Sequence, residues 1–292
     1  MIVKNEEACL AKCLESVKGV DNIYIVDTGS TDNTVEVAKR YTENVYTDFT
    51  WCDHFAKARN HALSKVKEEN AYVLSIDADE YLHSFEELRK AVDEAAEKEA
   101  LAVDVKLFAE GDGQMHYFPR LFKKDSRVWW EGAVHNHVSV PAERIGDVRI
   151  TYGYSPAHYQ DPNRAFRILQ KEVEEHGNPR ETFYLGREYW YRGMYQECVV
   201  AMGKYVQKSQ FLAEKADAFL IMARCYWNLG MGNNARDACL QAIAINAHFK
   251  EAVLFMALIA GKGTGNQQWE KNAAQWERMA ETADNSNVLF VR

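Results

Sequence analysis

The sequence predicts an α/β domain followed by an all-α domain of repeated helices. Up to about residue 80, apolar runs with high strand propensity alternate with stretches of helical periodicity, the pattern that builds parallel sheets. Between about residues 102 and 140 the apolar positions alternate with period two, which indicates antiparallel strands added to that sheet. From about Asp161 the periodicity is helical almost throughout. We therefore expect two domains, residues 1–160 and residues 161–292.

The composition is that of a folded chain whose net charge does not attract polyanions, although a local basic patch is compatible with it. With 292 residues, 47% of them hydrophobic and 12% aromatic, the chain can bury a sizeable core. A net charge of −8 and a pI near 5.7 argue against electrostatic capture of nucleic acid or of an anionic lipid surface. The six cysteines form no CxxC pair, so we expect reduced packing residues and no structural zinc.

The sequence shows no segment that would enter a membrane. No apolar run approaches the length of a transmembrane helix, and residues 1–7 lack the apolar core of a signal peptide. We expect a cytoplasmic protein, either free or peripheral at the inner face of the membrane. Whether the chain forms oligomers stays open.

The first strand and the second are each followed by a helix. Ile2 and Val3 begin a strand, and residues 5–7 are expected to open a helix that Gly19 stops. Residues 23–26 form a continuous apolar strand that ends in Asp27. A polar, glycine-containing loop and a helix over residues 35–40 follow, which completes a β-loop-α unit.

The remaining elements of the first half are assigned from the same patterns. We predict strands over residues 45–47, 71–76, 102–107, 119–122 and 129–140, and helices over residues 55–63 and 85–99.

Three carboxylates follow the apolar run of residues 71–76. They belong to Asp77, Asp79 and Glu80, with Ala78 between the first two. If the stretch is extended, Asp77 and Asp79 lie on the same side, about 6 to 7 Å apart, close enough for one to hold a cation and the other a hydroxyl beside it. Oxygen ligands suit Mg²⁺ or Mn²⁺, which in turn suit diphosphates. Open α/β sheets bind ligands at the carboxyl ends of their strands.

A simpler interpretation of these acids is that they cap the next helix. Glu80 and Ser84 precede the helical run that begins at Phe85 and could serve this purpose. Acidic residues on a buried strand are nevertheless costly unless they are paired or bound to metal.

The second half of the chain contains an internal repeat. Small and aromatic residues recur at a constant offset: Gly186, Tyr189, Gly193 and Cys198 correspond to Ala223, Tyr226, Gly230 and Ala235. A third, degenerate copy contains Met256, Ala257, Ala260, Trp269, Ala273 and Trp276. The pattern resembles tetratricopeptide repeats (TPRs), in which small residues allow close approach of paired helices. A generic helical bundle is the alternative.

Five motifs in the first half resemble those of family-2 glycosyltransferases, and they occur in the same order. They are residues 1–7, residues 26–34, residues 55–60, residues 77–80 and residues 119–122. The chain is similar to bacterial members of the lipopolysaccharide-core and peptide-glycosylating kind, some of which carry helical repeats after the catalytic domain. Five ordered motifs are far more specific than a single Asp-x-Asp.

The resemblance implies a GT-A fold, a Rossmann-like mixed sheet that binds a nucleotide-diphosphate sugar, most often a UDP-sugar, with Mn²⁺ or Mg²⁺. It implies that Asp27 accepts a hydrogen bond from the uracil imide and that Arg59 lies near the base or the diphosphate. Asp77 would contact the ribose hydroxyls, and Asp79 would bind the cation that bridges the phosphates. The other donor-binding assignments are Val3, Asn5, Glu6, Gly29, Ser30 and Ala78. Without the resemblance, Arg59 would be a surface helix arginine and Asp27 a turn former.

The base and a further metal ligand are expected between Trp129 and His137. The resemblance implies inversion at the anomeric carbon, for which the base that deprotonates the acceptor is usually a carboxylate opposite the leaving group. We assign Glu131, the nearest carboxylate, although a solvated strand residue fits the pattern equally well. Asn136 occupies a position where relatives often have Glu, and asparagine cannot act as a base.

The histidines of this region differ in what the resemblance implies for them. His135 stands where similar enzymes recruit a further metal ligand, so it is assigned to the cation. His137 and His158 stay unassigned.

The acceptor cannot be identified from these motifs. A glycan of an outer-membrane glycolipid, a peptide or protein side chain, or a modified nucleobase would leave them unchanged, and the acidity counts against the nucleobase. We expect the repeat domain to hold the acceptor, since concave repeat surfaces bind extended chains. One alternative is a nucleotidyltransferase, but residues 4–7 are not the basic, glycine-rich loop that it needs. The other is an interaction scaffold with a weakly active or inactive transferase domain.

Overall fold

The computed structural model describes residues 1–111, 114–153, 155–156, 161–261 and 267–283. These residues form two compact units, Met1–Ile168 and Leu169–Arg292. The predicted fold class, an α/β part followed by an all-α part, is confirmed. His158 lies outside the described residues.

The first unit begins with a small parallel sheet. Its strands and helices are β1 (Ile2–Val3), α1 (Leu10–Ser16), β2 (Ile25–Asp27), α2 (Thr34–Ala38) and β3 (Val45–Tyr46). The strand order is β1-β2-β3, and both pairings are parallel. This is the β-loop-α arrangement that the alternating pattern predicts.

A mixed sheet of five strands follows. The elements are α3 (Phe55–Lys65), β4 (Tyr72–Leu74), β5 (Glu80–Leu82), α4 (Phe85–Glu97), β6 (Ala102–Ala109), β7 (Met115–Lys123), β8 (Trp130–Glu131), β9 (His137–Val138) and β10 (Arg149–Tyr152). The order is β4-β7-β6-β10-β5, and only β10 and β6 run parallel. β8 and β9 form a separate antiparallel hairpin in place of the single strand predicted over residues 129–140.

The start of α1 differs from the prediction. The helix begins at Leu10, because Asn5 has a left-handed backbone with φ of 57° and turns the chain toward the loop after β2. Asparagine adopts this conformation more readily than most residues. Residues 5–7 therefore form part of the edge of the sheet rather than a first helical turn.

The acidic stretch after β4 is a turn and not an extended strand. β4 ends at Leu74, and the backbone N–H of Glu80 donates to the Asp77 carbonyl at 3.0 Å. The expectation that Asp77 and Asp79 share one side of a strand is therefore wrong. The capping interpretation holds for Ser84, whose hydroxyl accepts from the Glu87 N–H, but Glu80 lies in β5 and is buried.

One face of α4 packs on the mixed sheet. Leu88, Ala91 and Ala95 recur at helical spacing and lie in one buried cluster with side chains of β6, β7 and β10. Gly146 shows how closely the elements approach, since a Cβ atom added there would lie 2.9 Å from the Ala91 Cβ. This core holds the strand ends that carry the acidic side chains.

The second unit consists of successive helices. The helices after β10 are α5 (Arg164–Glu175), α6 (Pro179–Tyr191), α7 (Tyr195–Lys208), α8 (Leu212–Asn228), α9 (Gly232–Ile245), α10 (Lys250–Gly261) and α11 (Gln267–Thr282). Consecutive helices pair as α6 with α7, α8 with α9, and α10 with α11. The predicted TPR-like repeat is confirmed by this pairing.

The ends of α6 and α8 show the repeat in atomic detail. Gly193 and Gly230 have φ of 71° and 74°, and each follows its helix by two residues. The next N–H in each copy, that of Met194 or Met231, donates back to a tyrosine carbonyl at 2.9 or 2.8 Å. The same left-handed cap therefore closes the first helix of both copies, as expected for glycine at this position.

All six cysteines are free thiols, and four of them are buried (Cys13, Cys198, Cys225 and Cys239). This confirms the expectation of reduced packing residues. In the part of the chain that the structure describes, no helix combines the length and apolarity needed to cross a membrane.

Asp217 on α8 is a buried carboxyl group in the second unit. It is 4% exposed, and its Oδ2 has no hydrogen-bond partner among the described residues. Burial raises the pKa of Asp217 to about 7, and the opposing effect of Arg187 and Arg224 is smaller. The group is therefore largely protonated in the folded chain at mildly acidic pH.

Replacing Asp217 by asparagine is expected to change how stability depends on pH. The folded state keeps the proton up to about pH 7, whereas the unfolded chain releases it near pH 4, so Asp217 lowers the free energy of unfolding as the pH rises between these values. We compare the unfolding free energy of the variant with that of the wild type at each pH. This difference should be more favourable to the variant at pH 8 than at pH 5 by about 2 to 4 kcal/mol. Urea unfolding followed by far-ultraviolet circular dichroism measures this. Asp237→Asn, at an exposed position on α9, is the control, and an Asp217→Asn difference independent of pH would contradict the expectation.

Candidate functional site at the strand ends of the first unit

The loops after β1 and β2 bind each other. The Asn5 N–H donates to the Ser30 hydroxyl at 2.9 Å, and the Thr31 N–H donates to Asn5 Oδ1 at 2.7 Å. The Glu6 N–H donates to the Thr34 hydroxyl at 2.7 Å. The structure therefore brings together Asn5, Glu6 and Ser30, three of the residues assigned to donor binding. Their backbones lie side by side at the carboxyl ends of β1 and β2.

Asp27 ends β2 and organises the loop that follows. Its Oδ2 accepts the N–H groups of Gly29 and Ser30, both at 3.0 Å, and its Oδ1 accepts the Ser30 hydroxyl. Gly29 has φ of 107°, a conformation that favours glycine. Asp27 thus does form a turn, as its sequence context suggests, while the buried Val3 carbonyl beside it accepts the Thr28 N–H and hydroxyl.

Asp77 lies between two arginines that are distant in sequence. Arg59 Nη2 on α3 contacts both carboxylate oxygens of Asp77, at 2.8 and 3.1 Å, and Arg120 Nη2 on β7 contacts Oδ2 at 3.1 Å. The Arg59 side chain is 11% exposed, so it is not a surface helix arginine. Its guanidinium also lies 5.0 Å from the centre of the Trp130 ring.

Glu80 completes this network from β5. Its Oε1 accepts from Arg120 Nη2, and its Oε2 accepts the Asp77 N–H at 2.8 Å. Burial alone would raise the pKa of Asp77, but the two guanidinium groups hold that pKa well below its usual range. Burial raises the pKa of Glu80, and the neighbouring Asp77 charge adds to this. Asp77 is therefore the permanently ionised member of the pair.

Asp79 points to a different set of partners. Its Oδ2 accepts the Ser155 N–H at 3.3 Å, and its carbonyl accepts the Gly153 N–H at 3.0 Å. The Ser155 hydroxyl in turn donates to Glu6 Oε2, which also accepts from the Cys9 thiol at 3.1 Å. Burial, and next the Glu6 carboxylate, raise the pKa of Cys9 to about 12, so this thiol stays protonated.

The residues near Asp79 fit a cation that is bound jointly with a diphosphate. Among the described residues, no group of three or more His, Cys, Asp or Glu side chains could hold a metal ion by itself. Mg²⁺ and Mn²⁺ bound with substrate phosphates require only one or two protein carboxylates. Asp79 is partly exposed and can supply one. His135 is exposed, with φ of 49°, on the turn between β8 and β9.

The strand that carries Glu131 is attached to α3. The Asn60 side chain accepts the Trp130 N–H at 2.8 Å and donates to the Trp130 carbonyl at 2.9 Å. Glu131 accepts from the Trp129 indole N–H at 2.9 Å and lies 3.5 Å from His137 Nε2. Arg59 and Asn60, adjacent on α3, therefore tie Asp77 and the Glu131 strand to the same helix.

Removing the Asn60 amide is expected to loosen β8. Asn60→Ala leaves the Trp130 N–H and carbonyl without their partner, which should cost about 1 to 3 kcal/mol of unfolding free energy. Asn60→Asp keeps the acceptor for the N–H and should cost less. Denaturant unfolding and hydrogen exchange of the Trp130 amide measure the two effects. Equal protection of that amide in the wild type and in Asn60→Ala would contradict this role.

Three participants were given no ligand-binding role from the sequence. Arg120 was noted only as part of the motif at residues 119–122, Glu80 as one of three acids and as a possible helix cap, and Ser155 not at all. The sequence signal for Arg120 is a charged residue inside an otherwise apolar strand, and that for Glu80 is an acid after an apolar strand. Ala78 is 4% exposed and packs with the β1 and β2 side chains, so its side chain shapes the turn.

Comparisons with known proteins agree with the resemblance seen in the motifs. A TPR repeat-containing protein of Synechococcus elongatus is 34% identical over 187 residues, which are 58% of this chain and 45% of that protein. The SPbeta prophage-derived glycosyltransferase SunS of Bacillus subtilis is 30% identical over 205 residues, 64% of this chain and 48% of that protein. The chain spans less than half the length of these two curated relatives.

A solved structure, that of MamA, has a TM-score of 0.37 with 19% identity, and covers 42% of this chain and 69% of that one. The model of the family described as "Glycosyl transferase family 2" matches residues 1–152, which are more than half of the 292 residues. The chain therefore belongs to glycosyltransferase family 2.

Proposed function

We propose that this chain transfers a sugar, with inversion, from a nucleotide-diphosphate donor to a glycan or to a peptide or protein. The observation that carries the proposal is the partly exposed Asp77, held by Arg59 and Arg120 beside Asp79, at the strand edge of a unit that matches the family over residues 1–152.

In the proposed complex a uridine nucleotide binds at this edge. Asp77 Oδ1 accepts from Arg59 alone among the described residues, so it has a lone pair for a ribose hydroxyl. Asp27 Oδ1 accepts one hydrogen bond there, from Ser30, and keeps a lone pair for the uracil imide. Val3, Asn5, Glu6, Gly29 and Ala78 would form the walls, and Arg59 would add positive charge near the diphosphate.

Asp79 is proposed to hold Mn²⁺ or Mg²⁺, with His135 as a further ligand. Such a cation neutralises the negative charge that develops on the departing diphosphate. Glu131 is proposed to take the proton from the acceptor hydroxyl. Its carboxylate is exposed and lies beside His137, so it is accessible to an acceptor.

The helical unit is proposed to hold the acceptor. Its paired helices are of the kind whose concave surfaces bind extended chains. The alternative is that this unit is an interaction scaffold and that the first unit is weakly active or inactive.

A panel of nucleoside diphosphates tests the proposal. The thermal midpoint of the full chain would be measured with the diphosphates of uridine, guanosine, cytidine and thymidine, each with and without Mn²⁺. A ligand at one hundred times its dissociation constant stabilises by about 2.7 kcal/mol, which raises the midpoint by roughly 3 to 8 °C. We expect a metal-dependent shift that is largest with UDP. No shift with any nucleotide would favour the scaffold.

A further inference from the structure

Arg120 reaches Asp77 because of an irregularity in β7. Leu121 pairs with Val103 and Pro119 pairs with Asp104, so Arg120 has no opposite residue on β6. On its other side, the Arg120 carbonyl accepts the Ser75 N–H at 2.7 Å. A bulge of this kind redirects the side chain that it carries. Here it lies where β4 ends, next to the turn that holds Asp77.

The side chains of Asp77, Arg120 and Glu80 differ in solvent exposure, and this difference shows which of them a ligand can contact. The Asp77 side chain is 29% exposed, whereas those of Arg120 and Glu80 are 8% and 4% exposed. A ligand at this edge can therefore meet Asp77 but not the pair behind it. Any effect of Arg120 on ligand binding must pass through Asp77.

From this arrangement, and on the basis of the proposed function, we infer that Arg120 is a positioning residue that sets the Asp77 carboxylate against the ribose of the donor. Glu80 holds the Arg120 guanidinium on one side and the Asp77 N–H on the other. This fixes both the backbone and the side chain of Asp77. The consequence is selectivity for ribose over 2′-deoxyribose, because a fixed carboxylate accepts a hydrogen bond from a sugar hydroxyl that 2′-deoxyribose lacks.

Arginine suits this position better than lysine. A single nitrogen, Arg120 Nη2, contacts both carboxylates, those of Asp77 and Glu80. The two N–H bonds of this nitrogen keep fixed directions in the guanidinium plane, whereas those of a lysine ammonium group rotate on a flexible chain. Arg120→Lys keeps the charge and should nonetheless lose part of the selectivity.

The test compares the dissociation constants of UDP and 2′-deoxy-UDP by calorimetry, with Mn²⁺, for the full chain. The wild type is expected to prefer UDP by about tenfold or more, the value of a hydrogen bond to a charged group. In Arg120→Gln the preference should fall to about twofold, with Arg120→Lys in between. The ratio of the two constants is measured on folded molecules, so a general loss of stability leaves it unchanged.

Two further variants distinguish positioning from a structural role. In an Asp77→Asn background, Arg120→Gln should have no additional effect on the ratio, because the carboxylate that Arg120 positions has already been removed. Arg149→Gln, which removes an exposed arginine from the same sheet, should keep the wild-type ratio. A wild-type ratio in Arg120→Gln would overturn the inference while leaving the proposed function intact. A wild type that binds neither nucleotide would overturn the uridine donor and this inference with it.

Discussion

Replacing Asp79 by asparagine is expected to lower the rate of donor cleavage by about three orders of magnitude. The substitution removes the carboxylate proposed to bind the cation, and loss of metal stabilisation of the leaving diphosphate costs several kcal/mol in the transition state. The asparagine keeps an oxygen that can accept the Ser155 N–H, so the local turn should persist. The measurement is release of UDP from a panel of UDP-hexoses, with water as the acceptor, at several Mn²⁺ concentrations.

The control for Asp79→Asn is Asp93→Asn, which makes the same change in charge at an exposed position on α4. It should keep the wild-type rate. Binding of UDP without Mn²⁺ should be the same in Asp79→Asn and in the wild type, since the carboxylate acts through the cation. An Asp79→Asn variant with the wild-type rate and metal dependence would remove Asp79 from the proposed metal site.

Replacing Arg120 by methionine is expected to destabilise the first unit by about 1 to 3 kcal/mol. The substitution leaves the Glu80 carboxyl group, which is 4% exposed, without its guanidinium partner, so that group must take up a proton and lose a buried hydrogen bond. Asp77 keeps Arg59, so Glu80 bears most of the loss. Calorimetry of the full chain measures this, with hydrogen exchange assigning the transition to residues 1–168.

A second substitution should recover part of the stability lost in Arg120→Met. Glu80→Gln removes the carboxyl group that would have to take up a proton but keeps an oxygen for the Asp77 N–H. The double variant should therefore be more stable than Arg120→Met, because replacing both members of a buried pair is often close to neutral. Arg149→Met breaks an exposed pair with Asp147 and should cost about 0 to 1 kcal/mol. Equal losses from Arg120→Met and Arg149→Met would show that the buried network contributes little.

Much of the architecture follows from local patterns in the sequence. The alternation of apolar runs and helical periodicity predicts the parallel strands β1, β2 and β3, and the recurring glycines predict the matched ends of α6 and α8. These features depend on the conformational preferences of residues close together in the chain. The five ordered motifs likewise lead to family 2 before any contact is known.

The sequence alone therefore determined the class of fold, the repeat, the family and the acids at the strand ends. Tertiary structure decided which of those acids are paired. Arg59, Arg120 and Glu80 meet Asp77 across separations of 18, 43 and 3 residues, while Asp79 turns toward Ser155, 76 residues away. Such pairings depend on sheet register, on the bulge at Arg120 and on the turn after β4. None of these leaves a periodic signal in the sequence, because each is set by what packs on the other side of the strand.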